Sequence, residues 1–339
     1  MHKTLQYLGL TTATFCIGIS LPAVAATPKP LKTTDSNPTT VVIPQKADEF
    51  ATWANKCYEL KEQEALTACD RAIALNPKNA VSWNNRGVAL MDLQRYPEAL
   101  KSYDKAVQLD PNYALAWDNR GLVQRKLGKY EEALAAHDRA IYLNPKDPIT
   151  WYNRGVVLSD LENYREALGS YQKAVTIDPN YTLAWNHKGV ALTNLARYGE
   201  AIDAFNRAIA IDPDDAFAWG NRGVALNKLG RNEEALTSHD QAIAINPHDA
   251  SSWNNRGIAL ADLKMYEEAI AFYNRAISID PNSAVAWNNR GVALQLLAQY
   301  EEAFDAYTEA IKIHPNYQIA LKNSQDLVNQ LELNANASY

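Results

Sequence analysis

The chain has 339 residues, 47% of them hydrophobic and 21% charged, with 33 Lys and Arg against 39 Asp and Glu for a net charge of −6. That balance is globular and the length buries a substantial core. The charges are scattered and form no basic stripe, which argues against nucleic acid as a partner and against long-range attraction to an anionic membrane.

The first 26 residues stand apart. Lys3 gives a short positive start, residues 8–21 are mostly apolar or small, and Ala23-Val24-Ala25-Ala26 supplies small residues for cleavage. This pattern predicts a signal peptide over 1–26 and therefore export to a periplasm, a lumen or the exterior. An uncleaved anchor is the open alternative, opposed by the shortness of the apolar run and by Pro22. Phe15 before Cys16 does not suit lipoprotein processing. Residues 27–45 hold four prolines and five threonines without periodicity, so a disordered, extended linker is expected. No later stretch is apolar enough to span a bilayer, so no membrane insertion is expected after cleavage.

Residues 46–79 read as a degenerate copy of a repeat that becomes clear further on. Glu64-Ala65, Ala72 and Pro77 match its second helix, whereas Trp53 is out of phase and the first helix looks shortened. Cys57 and Cys69 flank the turn of this hairpin. Residues equally far from such a turn face each other, which makes a disulfide one reading in an oxidising compartment and two buried thiols the other.

From residue 80 one period governs everything. Trp83, Trp117, Trp151, Trp185, Trp219, Trp253 and Trp287 are spaced by 34. Counting from each Trp, Gly recurs at +4, Ala at +16 and +23, and Pro at +28. A period in this range means stacked units, none able to bury its apolar face alone. In the first copy Trp83, Gly87, Leu90 and Leu93 make one helical stripe, and Ala99, Tyr103, Ala106 and Leu109 make a second. Pro97 suits the opening turn of the second helix, and Asp147-Pro148 reads as an N-cap followed by a first-turn proline. The unit is helix, turn, helix, repeated over 80–113, 114–147, 148–181, 182–215, 216–249, 250–283 and 284–317. Gly87 and Ala99 are expected to be small because the two helices approach closely there. Residues 318–333 add one more amphipathic helix, expected to cap the last core face.

These positions resemble the tetratricopeptide repeat: Trp, Gly, Ala, aromatic, Ala and Pro are in register in all seven copies. The aromatic slot holds Tyr103, His137, Tyr171, Phe205, His239, Tyr273 and Tyr307. Two positions depart from the family pattern, where Arg or Lys precedes the glycine and mostly Leu stands three after it. The resemblance implies an all-α, right-handed superhelical solenoid whose first helices line a concave groove.

On a helical wheel, the residue at +2 lies almost opposite the buried side. It is Asn85, Asn119, Asn153, His187, Asn221, Asn255 and Asn289 in turn, and its neighbours at +5 are Val88, Leu122, Val156, Val190, Val224, Ile258 and Val292. An ordinary solvent face would be charged there. An amide offers both a donor and an acceptor to an extended backbone, so the stripe is expected to form a peptide-binding groove. The row is similar to that in the repeat domain of O-linked N-acetylglucosamine transferases, whose catalytic domain has no counterpart here. The competing reading has the asparagines bonded to neighbouring helices and the valines packed between repeats. The Arg at +3 falls within the apolar sector and is expected to reach a carboxylate on an adjacent helix.

Nothing in the sequence converges for catalysis. His137 and His239 occupy packing slots, and no metal spacing, phosphate loop or nucleophile elbow is present. The expectation is an exported, non-enzymatic scaffold without metal or cofactor. It would bind a protein or peptide in assembly or trafficking of envelope components. Glycan binding in the same groove and self-association into a homo-oligomer stay open as alternatives.

Overall fold

A computed structural model describes residues 45–337, which form seventeen helices and, among the described residues, no strand. The expected signal peptide and all of the expected linker but Gln45 lie outside these residues. The described chain divides into two compact units, residues 45–179 and 180–337.

In the first unit, α1 (Gln45–Glu59) pairs with α2 (Glu62–Leu75), α3 (Ala80–Asp92) with α4 (Tyr96–Leu109), α5 (Ala114–Lys126) with α6 (Tyr130–Leu143), and α7 (Pro148–Asp160) with α8 (Tyr164–Ile177). The second unit pairs α9 (Thr182–Asn194) with α10 (Tyr198–Ile211), α11 (Ala216–Lys228) with α12 (Asn232–Ile245), α13 (Ala250–Asp262) with α14 (Tyr266–Ile279), and α15 (Ala284–Leu296) with α16 (Tyr300–Ile313). The helix α17 (Gln318–Ala337) packs against α16 and α15. Within each unit every hairpin stacks on the next, as a repeat solenoid requires.

Local chemistry sets the helix ends. The Asn79, Asp147, Asp215, Asp249 and Ser283 side chains accept first-turn backbone N–H groups of the first helices. Each first helix stops at a left-handed residue eleven after its Trp: Gln94 (φ 57°), Gly128 (72°), Glu162 (56°), Ala196 (56°), Gly230 (74°), Lys264 (64°) and Ala298 (59°). In the first of these the Gln94 N–H donates to the Met91 carbonyl at 2.9 Å and the Arg95 N–H to the Leu90 carbonyl at 2.8 Å, closing a Schellman motif.

The glycine at +4 is explained by the ring at +20 rather than by Ala99. A Cβ on Gly87 would lie 2.5 Å from Cε1 of Tyr103, and the same ring fills the same gap in every clear repeat. The indole of Trp83 donates to the Pro77 carbonyl at 2.9 Å, and Trp117, Trp151, Trp219, Trp253 and Trp287 repeat that bond six residues back. Each Trp thereby pins its helix to the turn that delivers it.

The first hairpin is in register after all. The helix α1 is 15 residues long, not shortened, and it includes Gln45 from the expected linker. Trp53 stands 34 residues before Gly87 and Cys69 stands 34 before Tyr103, so the large and small partners have changed sides. Cys57 and Cys69 are joined by a disulfide with Cα atoms 4.6 Å apart, and Trp53 packs against that pair. The helix α17 runs four residues past the expected cap, and here Leu321, Ser324 and Gln325 replace the Trp, Arg and Gly of the pattern. Gln325 leaves no gap for the ring of a further second helix.

Candidate functional site

The asparagine stripe sits on the first helices, as the wheel requires, but most of it is tied up. Asn119 Nδ2 donates to Asn84 Oδ1 and Asn153 Nδ2 to Asp118 Oδ2, both at 3.0 Å. Asn289 Nδ2 donates to Asn254 Oδ1 and Asn323 Nδ2 to Asn288 Oδ1, again at 3.0 Å. All four bonds span 35 residues, because stacking puts position +2 of one repeat beside +1 of the repeat before it. Within a helix, Asn84, Asn254 and Asn288 each donate to the Asn that follows. The expectation of an open row of unspent amides is therefore corrected: at Asn119, Asn153 and Asn289 the N–H is spent on the ladder.

Accessibility trims the stripe further. Asn153 and Asn289 are each 3% exposed, and Val292 is buried beside Leu327 of α17. Val88, Leu122, Val156, Val190, Val224 and Ile258 are half-buried, with Val88 and Ile258 packed against core clusters. The His187 ring meets the Leu183 carbonyl at 2.9 Å through Nδ1. Asn85 accepts from Asn84 and remains half-buried.

Two asparagines escape the ladder, both in the second unit. Asn186, which should accept from Asn221, turns its amide N–H to the N-cap Asp215, leaving Asn221 Nδ2 and Asn186 Oδ1 without partners. The next +1 position is Gly220, which has no side chain to accept from Asn255. An added Cβ at Gly220 would meet nothing closer than Ser252 Oγ at 3.8 Å, so the missing side chain leaves a notch. Asn221, whose Nδ2 is buried, and Asn255, whose Oδ1 accepts from Asn254 while its N–H lacks the inter-repeat acceptor, are with Val224 and Ile258 the part of the stripe outside the ladder.

Five of the six arginines at +3 bond to neighbouring helices, whereas Arg290 lies 5.5 Å over Trp287 with its Nε buried and unpartnered. Arg86, Arg120 and Arg154 reach Asp70, Asp104 and Asp138 on the second helix of the preceding repeat, each at 2.7 Å. Arg256 reaches Asp240 and Arg222 reaches Asn206 in the same way. Arg86, Arg154 and Arg222 also donate to Ser102, Ser170 and Ser238. The partners lie sixteen residues away on either side, a regularity the sequence carries but that is meaningless until the helices are stacked. Lys188 lacks the guanidinium fork. Its ammonium sits 4.5 Å over Trp185, and burial lowers its pKa.

One polar cluster had no signal in isolation. His137 Nδ1 lies 2.8 Å from Asp118 Oδ1, so this buried carboxylate serves both the ring slot of its own repeat and Asn153 of the next. Asp118 replaces the Asn of other copies, and an acceptor-only group suits two donors. His239 has no such acid. Its Nδ1 is buried without a partner, and burial, with Arg256 adding to it, pushes its pKa down to about 3. Among the described residues no three His, Cys, Asp or Glu converge to hold a metal, and no helix is long and apolar enough to cross a membrane.

Residues 80–113 and every 34-residue window from 148 to 317 match the family described as Tetratricopeptide repeat. Residues 121–162 and 102–135 match two further descriptions of that repeat. Residues 62–93 match the Protein prenyltransferase alpha subunit repeat. The chain is similar in fold to a tetratricopeptide repeat protein from Parabacteroides merdae, at 18% identity and TM-score 0.60 over 74% of this chain and 98% of that one. It is similar as well to a chain of the APC/C hetero-tetramer Cut9-Hcn1, at 17% identity and TM-score 0.59 over 82% of this chain and 55% of that one. YrrB, described as a TPR protein with an unusual peptide-binding site, is 31% identical over 59% of this chain and 99% of its own, with a TM-score of 0.49. Curated proteins give no match. The fold points to a protein–protein interaction scaffold, and with the repeat matched over more than half its length and its Trp, Gly and ring packed as described, the chain belongs to the tetratricopeptide repeat family.

Proposed function

We propose that the protein is a non-catalytic scaffold that holds an extended segment of a partner protein on the first-helix face of its second unit, over Asn221 and Asn255. The observation that carries this is the interruption of the ladder. Asn119, Asn153, Asn289 and Asn323 spend their N–H on the preceding repeat, whereas Asn186 turning to Asp215 and the bare Gly220 leave Asn221 and Asn255 without that acceptor. An amide can give and take one hydrogen bond each with a strand-like backbone, and Val224 and Ile258 supply half-buried apolar contacts between them. Two such bonds, each contributing about 0.5–1.5 kcal/mol, set a modest affinity that leaves side-chain contacts to choose the partner. Export and a role in assembling envelope components remain part of the proposal. The leader-like residues 1–26 and the Cys57–Cys69 disulfide support it, since disulfides persist in oxidising compartments.

The test is photo-crosslinking from position 224 or 258 of the exported protein, with identification of the captured chain. Binding of that partner is then compared across variants. Asn221→Ala with Asn255→Ala should weaken it about 10-fold or more while the melting curve stays near that of the parent. Full binding by this double variant, with the crosslinks retained, would refute the assignment of the site.

A further inference from the structure

We infer that the notch at Gly220 is a carboxylate-binding site, and that it takes an aspartate side chain of the partner segment, whose two oxygens accept from His239 and Asn255. This deepens the peptide reading and rests on it only for the source of the carboxylate.

The repeat 114–147 shows the filled version of the same arrangement. Its residue at +1 is Asp118, its ring at +20 is His137, and the next repeat supplies Asn153. One carboxylate oxygen there meets His137 Nδ1 at 2.8 Å and the other accepts from Asn153 Nδ2 at 3.0 Å. The repeat 216–249 carries the same ring and the same following amide, His239 and Asn255, but its residue at +1 is Gly220. These are the two repeats with histidine in the ring slot, and they differ in the acid that joins ring to amide.

Both nitrogens around Gly220 are donors. Asn227 Nδ2 lies 3.3 Å from His239 Nε2, and an amide N–H can only donate, so Nε2 accepts and Nδ1 carries the ring proton. That Nδ1 is buried and unpartnered, in a side chain 0% exposed. The two histidines are seated alike: Cε1 is the ring atom nearest to a Cβ added at the glycine at +4, at 2.6 Å for Gly121 and 2.4 Å for Gly223. Asn255 uses its Oδ1 on Asn254, and its amide has two hydrogens, so binding a carboxylate leaves one for the partner's backbone. An acceptor-only group suits two converging donors. The Arg256 charge, which adds to the lowering of the His239 pKa, favours an anion in the same place. There is room for one. Relative to Asp118, Gly220 lacks a methylene and a carboxylate, the size of an acetate ion, and an added Cβ meets nothing closer than Ser252 Oγ at 3.8 Å. The other six residues at +1 are 1–8% exposed, whereas Gly220 is half-buried, so the notch is open at the surface. Gly220 directly precedes Asn221, which puts the notch beneath a segment lying over Asn221 and Asn255.

The experiment titrates the full chain with sodium acetate to about 200 mM, against sodium chloride at equal ionic strength, and follows the His239 ring by NMR. His239→Phe assigns the signal. Acetate should move the His239 Nδ1–H saturably where chloride does not. Gly220→Asp and Gly220→Asn bring their own acceptor, so their ring signal should start displaced and acetate should bind about 10-fold more weakly or worse. Asn255→Ala should weaken acetate by a similar factor, and it keeps the test decisive if a side chain at position 220 spoils the fold, which melting curves on each variant would reveal. N-acetyl-aspartate amide presents the carboxylate on a side chain and N-acetylalanine presents it at a chain end. The first should shift His239 as acetate does, and the second about 10-fold more weakly or worse. A parent ring indifferent to acetate overturns the site, as does a parent-like response in Gly220→Asp or Asn255→Ala. Binding of acetate but of neither larger probe would mean a site for a small free carboxylate and overturn the partner's part in it. Tighter binding of N-acetylalanine would overturn the side-chain assignment. Crosslinks from positions 224 and 258 report on the groove and acetate reports on the notch, so the two readings fail separately.

Discussion

Replacing Asn153 by Ala tests whether the asparagines hold the solenoid or wait for a ligand. The Asn153 amide donates to Asp118 at 3.0 Å, donor residue and acceptor residue are only 3% and 4% exposed, and the second carboxylate oxygen is already held by His137. Removing the donor strands half of a buried carboxylate. Hydrogen bonds to charged groups contribute about 1.5–3 kcal/mol, so a loss near 2 kcal/mol is expected at that junction. Asn85 is the control. It heads the ladder, is half-buried, and only accepts from its neighbour Asn84 at 3.2 Å, so Asn85→Ala should cost about 0.5 kcal/mol or less. Because stability in a solenoid is local, the assay is native-state hydrogen exchange resolved by helix. A 2 kcal/mol loss speeds exchange through opening about 30-fold in α5 to α7. If Asn153→Ala exchanged like the parent, or no faster than Asn85→Ala, the ladder would not be a structural bond and the argument for Asn221 and Asn255 as exceptions would fall with it.

Two further outcomes follow from the same packing. His239 is neutral in the fold because its pKa lies near 3, below the ordinary value of 6.5, so its contribution is complete above pH 6.5 and is lost as pH falls toward 3. The full loss is on the order of 5 kcal/mol; His239→Phe, which copies the Phe205 slot, should flatten the acid limb of a melting-temperature profile, and an unchanged limb would contradict it. Gly128→Ala places a side chain at φ 72°. The left-handed strain of about 1–2 kcal/mol, partly offset by a stiffer unfolded chain, leaves a net loss near 1 kcal/mol in urea titration, and no loss would contradict the turn geometry.

The 34-residue period made the fold legible, because Trp, Gly, ring and Pro are packing constraints within a hairpin and at its junction with the preceding turn, and they repeat whenever the hairpin does. Other features were visible only in part. Gly marks the left-handed turn in two copies, Gly128 and Gly230, yet Gln94, Glu162, Ala196, Lys264 and Ala298 adopt it too, since the Schellman bonds outweigh their strain. Trp53 looked out of phase because a pattern search expects Gly there. The exchange with Cys69 shows only when both helices are seen together.

The asparagine stripe divides the two sources of information. Sequence alone determined that an amide occurs at every +2 position but one, and which helix face it shares with the valines. Whether that amide is spent depends on a residue 35 positions earlier in the chain, on a helix two elements away, and on whether that residue is an Asn, an Asp with an oxygen to spare beside His137, an Asn turned toward Asp215, or a glycine with nothing to offer. Hydrogen bonds saturate, and saturation is settled between neighbouring helices. Only the stacked structure could decide which of the seven positions has anything left to give.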